Sequence, residues 1–106
     1  FYEEAVSVAY YATLWAARAL LLTEGAEPRT HEGVRTMLGL YFVRTGRLSQ
    51  EVGRLFTRRL DDRMSADYSD VNFLGREDAE EAVAQAERFL EAVRPLVESY
   101  LQEDEE

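Results

Sequence analysis

The feature that most constrains the fold is an 18-residue segment, Ala5 to Leu22, whose clearly polar members are Ser7, Thr13 and Arg18. Such a segment either spans a membrane or forms a helix buried in a small domain. The buried helix is the better interpretation, because two tyrosine hydroxyls and an indole N–H fall mid-segment, alanine is frequent and no basic residue precedes it. We therefore expect no membrane anchor, no signal peptide and a cytoplasmic location.

Helical periodicity places this segment in a helix from about Tyr2 to Thr23, with two apolar faces. One face carries Val8, Tyr11, Trp15, Ala19 and Leu22. The other carries Val6, Tyr10, Leu14, Ala17 and Leu21. Two such faces predict that the helix makes contacts on more than one side.

Capping residues delimit the next two helices. Thr30 and Ser49 are candidate N-caps of helices that extend to about Val43 and Ala66. Two glycines are predicted to end the first two helices in the left-handed conformation: Gly25 and Gly46. The third helix lies in the basic part of the chain, because residues 44–63 hold six arginines and three acids. It is therefore the element expected to face anions.

A fourth helix begins near Glu77 and carries an apolar stripe as far as Leu101. Pro95 lies within this stripe and lacks the amide proton that a helix interior requires, so we expect a kink or a break near Ala92. Residues 103–106 are all acidic and are expected to form a solvated, disordered tail after a single domain over residues 1–102.

These elements predict an all-α fold, an up-and-down helical bundle of four to five helices. A chain of 106 residues with 46% apolar residues can fill one core. The absence of cysteine and the presence of only one histidine exclude disulfides and argue against a zinc site, and no cofactor is expected. The net charge of −9 argues against indiscriminate binding to nucleic acids or anionic membranes.

Three stretches, taken together, resemble an uncharacterised bacterial and archaeal branch of the HEPN domain family. The first is Phe1 to Ser7, running into Ala9 to Ala12 and Ala16 to Leu21. The second is Thr30 to Val34 with Phe42 to Gly46, and the third is Arg63 with Ala66-Asp67-Tyr68. The resemblance implies a HEPN-like helical bundle and a homodimer. It also implies a toxin–antitoxin setting, because many members are RNA-cleaving toxins or partners of a minimal nucleotidyltransferase.

The catalytic signature of that family is an arginine followed by a histidine, and the resemblance puts these positions at Val8 and Trp15. Valine carries neither charge nor hydrogen-bond donor, and an indole cannot act as a base. We therefore expect that the ribonuclease motif has been lost and that Val8, Tyr11 and Trp15 form an apolar dimer interface. The expected function is a dimeric interaction module associated with a nucleotidyltransferase or another partner protein.

Two alternatives remain open: an RNA-cleaving toxin with a relocated site, and a non-catalytic RNA- or nucleotide-binding domain. The candidate residues for either are His31, Arg58, Arg59, Arg63 and Tyr68. His31 is the only histidine and could serve as a base, and the arginines could bind phosphate bidentately. Local packing, surface ion pairs and sealing of the core are the simpler roles for these side chains. Whether the protein is an enzyme therefore stays open.

Overall fold

A computed structural model describes residues 1–57 and 75–105, and within these residues the regular structure is helical, with no strand. The helices are α1 (Tyr2–Leu22), α2 (His31–Leu38), α3 (residues 50–57) and α4 (Arg76–Glu105). Helix α2 passes directly into a π-helical turn over Gly39–Val43. The predicted all-α fold is thus confirmed, and residues 58–66 of the predicted third helix lie outside the described residues.

The capping signals in the sequence operate as predicted. The backbone N–H of Gly33 donates to Thr30 Oγ1 over 2.9 Å at the start of α2, and that of Val52 donates to Ser49 Oγ over 3.1 Å at the start of α3. The two helix-ending glycines have positive φ angles: 72° at Gly25 and 83° at Gly46. Local side-chain chemistry therefore sets these helix boundaries.

The core is built largely on the contact between α1 and α4, which run in the same direction. Near the start of both helices, Val6 and Ala9 share a cluster of small side chains with Ala82 and its neighbours. Further along, larger residues form the main cluster, to which α2 and α3 also contribute. Its bulkiest members are Tyr10, Leu14, Leu20, Leu21, Leu38, Phe42, Phe56 and Phe89.

Helix α4 is continuous for 30 residues and includes Pro95, so the predicted break is wrong. Proline removes one amide proton, and the carbonyl of exposed Glu91 that would accept it remains close to water. On either side of the proline, Val93 and Val97 pack on the core cluster and hold the two segments in place. The backbone is helical through Glu105, and the disorder expected of the acidic tail stays a prediction.

By length and composition alone, α1 could cross a membrane. Its buried residues, however, pack against α4 and α2 as those of a central helix do in a small domain. The two apolar faces that the sequence predicts differ in their burial. Val6, Tyr10, Leu14, Ala17 and Leu21 are buried, whereas Val8, Tyr11, Trp15, Ala19 and Leu22 are exposed.

Candidate functional site

The exposed face of α1 carries large apolar side chains along its whole length. Val8 is 68% exposed, Trp15 is 64% exposed and Tyr11 is 41% exposed. Phe1 and Leu22 extend the row at spacings of seven residues, and both are more than half exposed. We call these five residues the α1 stripe. The sequence predicts its three central members as an interface and places Leu22 on the same face, and the regular spacing of 1, 8, 15 and 22 could have identified Phe1 as well.

Helix α4 widens this surface. Val83 and Leu90, both exposed, form an apolar cleft of about 400 Å³ with Ala5, Val8 and other residues of α1. Glu4 and Glu87 also line the cleft. The apolar surface therefore spans two parallel helices and has acidic side chains at its margin. The contribution of α4 depends on tertiary packing and cannot be read from the sequence of either helix alone.

Arg18 lies beside the stripe, in a smaller cleft of about 150 Å³ that Trp15, Leu22 and Pro28 also line. Its guanidinium carbon is 5.6 Å from the centre of the Trp15 ring, within the range of a cation–π contact. Its Nε atom is buried and has no hydrogen-bond partner among the described residues. A buried donor without a partner is costly, so this nitrogen is an uncompensated polar group beside the stripe.

Val8 and Trp15, the positions at which the resemblance expects an arginine and a histidine, are both open to solvent on one side of α1. Positions seven residues apart on a helix are separated by about 10 Å along its axis. Neither side chain can transfer a proton or bind a phosphate as a cation. The chemistry available on the stripe is therefore apolar contact, with Arg18 as the adjacent cation.

His31 lies at the first turn of α2 and is exposed, and its Nδ1 atom is 2.6 Å from the hydroxyl of Tyr10. The two rings meet edge to face at 5.8 Å between centroids. Tyr10 is only 2% exposed, so this hydrogen bond joins the buried face of α1 to the start of α2. This contact joins residues 21 positions apart, so it differs from the contact within the turn that the sequence suggests for His31. Its role in RNA binding or catalysis stays a prediction.

The other predicted binding residues, Arg58, Arg59, Arg63 and Tyr68, lie outside the described residues, so their grouping with His31 stays a prediction. Within the described ranges there is no group of three or more histidine, aspartate or glutamate side chains that could hold a metal ion. The candidate site that the structure does describe is therefore the α1 stripe with its flanking charges.

One carboxylate has a clearly shifted pKa. Arg88 of α4 donates a hydrogen bond to Glu51 of α3, and this bond, with the charge of Arg88, lowers the pKa of Glu51 below its usual value near 4.5. The positive charge of Arg54 adds to the effect. Glu51 therefore remains ionised in mildly acidic solution and contributes an ion pair between α3 and α4.

Comparison with known proteins places the chain in a family. Residues 1–96 match the HEPN domain. A protein of Methanocaldococcus jannaschii named "Putative toxin MJ0605" is 38% identical over 100 residues, which cover 94% of this chain and 74% of that protein. A UPF0332 protein of Thermotoga maritima is 33% identical over 96 residues, covering 91% of this chain and 73% of the relative.

A second Methanocaldococcus jannaschii protein, named "Putative toxin MJ0142", is 33% identical over 90 residues and is covered to 61% of its length. No solved structure matches the chain. The family match covers most of the chain. The chain belongs to the HEPN domain family.

Proposed function

We propose that this HEPN domain is a dimeric interaction module of a toxin–antitoxin system, that it has lost the family's ribonuclease motif, and that it acts in the cytoplasm with a minimal nucleotidyltransferase or another protein partner. The toxin names of two relatives support the setting. The observation that carries the proposal is the α1 stripe, since monomeric proteins rarely leave large apolar side chains contiguous on their surface.

A second copy of the chain is the partner that best fits the stripe. The side chains along α1 are arranged almost symmetrically about Tyr11: Val8 and Trp15 lie to either side of it, as do Glu4 and Arg18. When two α1 helices pack antiparallel about this point, each Glu4 comes opposite an Arg18 of the other copy. This arrangement pairs the charges of Glu4 and Arg18 between the two copies and buries both tryptophans.

Light scattering after size-exclusion chromatography tests the dimer. We expect the mass of two chains at micromolar concentration, and a shift to one chain in Trp15→Glu, because a carboxylate would be buried in an apolar contact. Arg54→Glu, at an exposed position of α3 in a cleft that contains no stripe residue, is the matched control and should leave the dimer intact. A strict monomer at micromolar concentration in the unaltered protein would contradict the proposal.

Charge reversal tests the antiparallel arrangement. Glu4→Arg and Arg18→Glu should each weaken the dimer by placing like charges opposite one another, and the double variant should restore much of the loss by exchanging the pair. An effect that is merely additive in the double variant would exclude this arrangement while leaving dimerisation through the stripe intact.

Co-purification tests the nucleotidyltransferase partner. A minimal nucleotidyltransferase encoded beside this protein should co-elute with it from a size-exclusion column when the two are co-expressed. Two separate peaks at micromolar concentration would contradict this part of the proposal without affecting the homodimer.

A second candidate function is an RNA-cleaving toxin that uses His31 as its base. The specific observation in its favour is the hydrogen bond between the Tyr10 hydroxyl and His31 Nδ1, which orients the ring of an exposed imidazole. The test is cleavage of single-stranded RNA by the purified protein and by His31→Ala. Absence of cleavage, or cleavage that continues unchanged in the variant, would exclude this candidate.

A further inference from the structure

A groove of about 310 Å³ lies between α2 and α3, formed by residues that the α1 stripe does not include. Its apolar lining comes from Leu38 and Phe56, which are buried, and from Val43. Gly39 also lines it, and a Cβ atom added there would meet nothing within 4 Å, so the groove is open on its α2 side. A groove with an apolar base can receive the apolar side chains of an approaching helix.

Two exposed arginines line this α2–α3 groove, Arg35 from α2 and Arg54 from α3. Within the described part of the chain, each makes only a long polar contact. Arg35 Nε is 3.6 Å from Glu32 Oε1. Arg54 Nη2 is 3.5 Å from Gln50 Oε1. Each guanidinium group can therefore donate to a closer carboxylate of its own, and the groove suits an apolar segment that carries acidic side chains.

The last part of α4 is such a segment. Helix α4 has 30 residues and α1 has 21, and both start at the same end of the domain, so α4 continues for about two turns beyond the end of α1. Residues 98–103 are all exposed, and we call them the α4 end. Within it, Tyr100 and Leu101 continue the apolar stripe through which Val93 and Val97 pack on the core cluster. The stripe of α4 therefore extends beyond the core that covers its earlier part.

The charge of the α4 end is complementary to that of the α2–α3 groove. Residues 95–106 include five acids and no basic residue. Two α4 ends therefore repel each other, whereas the arginines of the groove attract them. Because α4 is one continuous helix, its end cannot bend back into the groove of its own chain. A second copy of the chain is thus an occupant whose shape, polarity and charge fit the groove.

We propose that the α4 end of one copy docks in the α2–α3 groove of a second copy, with Tyr100 and Leu101 on the apolar base and carboxylates against the arginines. This contact is heterologous, because two different surfaces meet, and it can link dimers formed through the α1 stripe. Two turns of helix bury well under about 1,000 Å², so we expect a dissociation constant on the order of 100 µM. The contact therefore forms at high local concentration and leaves the stripe dimer unaffected at micromolar concentration.

Sedimentation equilibrium of the full chain carrying Trp15→Glu, which disfavours the stripe contact, tests this association separately from the stripe dimer. Between about 10 µM and about 1 mM, we expect the mean mass to rise with concentration. The rise should be smaller at high salt, which screens exposed charge pairs. Arg35→Met and Arg54→Met should each reduce it. Arg29→Met removes the same charge from an exposed position outside the groove and should leave it unchanged.

Complementation between two further variants of the same chain tests whether two different surfaces meet. Gly39→Leu fills the groove, and Gly39 has helical angles of φ −60° and ψ −45°, so its backbone accepts a side chain. Tyr100→Ser with Leu101→Ser removes the apolar part of the α4 end. Each variant alone should show no rise in mass. An equal mixture should form a complex with one chain of each, because one supplies the groove and the other the α4 end. Circular dichroism should show both folded, and Arg54→Glu is a second groove variant.

Three results would overturn the proposal. One is a constant mass over the whole concentration range in the chain that carries Trp15→Glu alone. Another is a mixture that does not associate, or a groove or α4-end variant that associates by itself as strongly as its parent, because either result would place the contact elsewhere. The third is an equal effect of Arg29→Met and Arg54→Met, which would mean that association depends on overall charge rather than on the groove.

Discussion

The two faces of α1 have nearly the same composition and opposite environments. Tyr10 and Leu14 lie on one face and are at most 3% exposed, whereas Tyr11 and Trp15, one position further along, are 41% and 64% exposed. Burial of an apolar side chain stabilises a fold, and leaving one in water contributes nothing. The buried face therefore accounts for the stability of the domain, and the exposed face is available for association with another molecule.

The largest expected effect on the free energy of unfolding comes from comparing two leucines, one on each face of α1. Leu20 is fully buried in the main core cluster, and Leu22, two positions later, is 51% exposed. Leu20→Ala should lower the free energy of unfolding by about 3 kcal/mol, through lost transfer energy and a cavity. Leu22→Ala should change it by less than about 0.5 kcal/mol.

Urea denaturation followed by circular dichroism measures both values, at a protein concentration low enough to dissociate a dimer. Equal losses in the two variants would mean that the faces do not differ in the way their exposures indicate. A larger loss in Leu22→Ala would reverse the comparison altogether.

The second effect concerns association rather than folding. Trp15→Ala should weaken the dimer by about 2 kcal/mol or more, because a tryptophan near the centre of an interface is the residue type most often found at a binding hot spot. The stability of the isolated chain should change little, since the ring is largely in water. Sedimentation over a dilution series gives the dimer affinity, and an unchanged affinity would place the interface elsewhere.

The division between the faces was predictable from the sequence, because residues at three- and four-residue spacings share one side of a helix. The boundaries of α1 and α2 were equally accessible, since Thr30 and Gly25 act through contacts with their own neighbours in the chain. The continuous helix at Pro95 was not predictable from the sequence, because packing on both sides of the proline compensates for its missing hydrogen bond.

The site was predictable only in part. Val8, Tyr11 and Trp15 follow from the period of the helix, but the cleft with α4 and the partnerless Nε of Arg18 depend on tertiary structure. The π turn at Gly39 likewise left no signal in the sequence pattern, which continues the ordinary helical period through it. Contacts between distant segments, rather than local propensity, determine these features.

A smaller effect on the free energy of unfolding tests whether a hydrogen bond at the buried face of α1 stabilises the domain. Tyr10→Phe removes the hydroxyl that contacts His31 and keeps the ring in the core. We expect a loss of about 1 kcal/mol in the free energy of unfolding, the usual net value of one hydrogen bond. His31→Ala should reduce the loss caused by Tyr10→Phe when the two are combined, because both remove the same bond. Full additivity in urea denaturation would show that this bond does not stabilise the domain.

The smallest expected effect concerns an exposed polar contact, which can be compared with the exposed apolar stripe. Arg88 and Glu51 form an exposed ion pair between α4 and α3, and the hydrogen bond from Arg88 lowers the pKa of Glu51. A lowered pKa in the folded state contributes stability at pH values above the usual pKa near 4.5, and this contribution is lost as the pH falls through the folded pKa.

Carbon-detected NMR titration should therefore give Glu51 a higher midpoint in Arg88→Met than in the unaltered protein, with Arg94→Met as a control on the same helix. An identical midpoint in all three proteins would mean that the pair does not persist in solution.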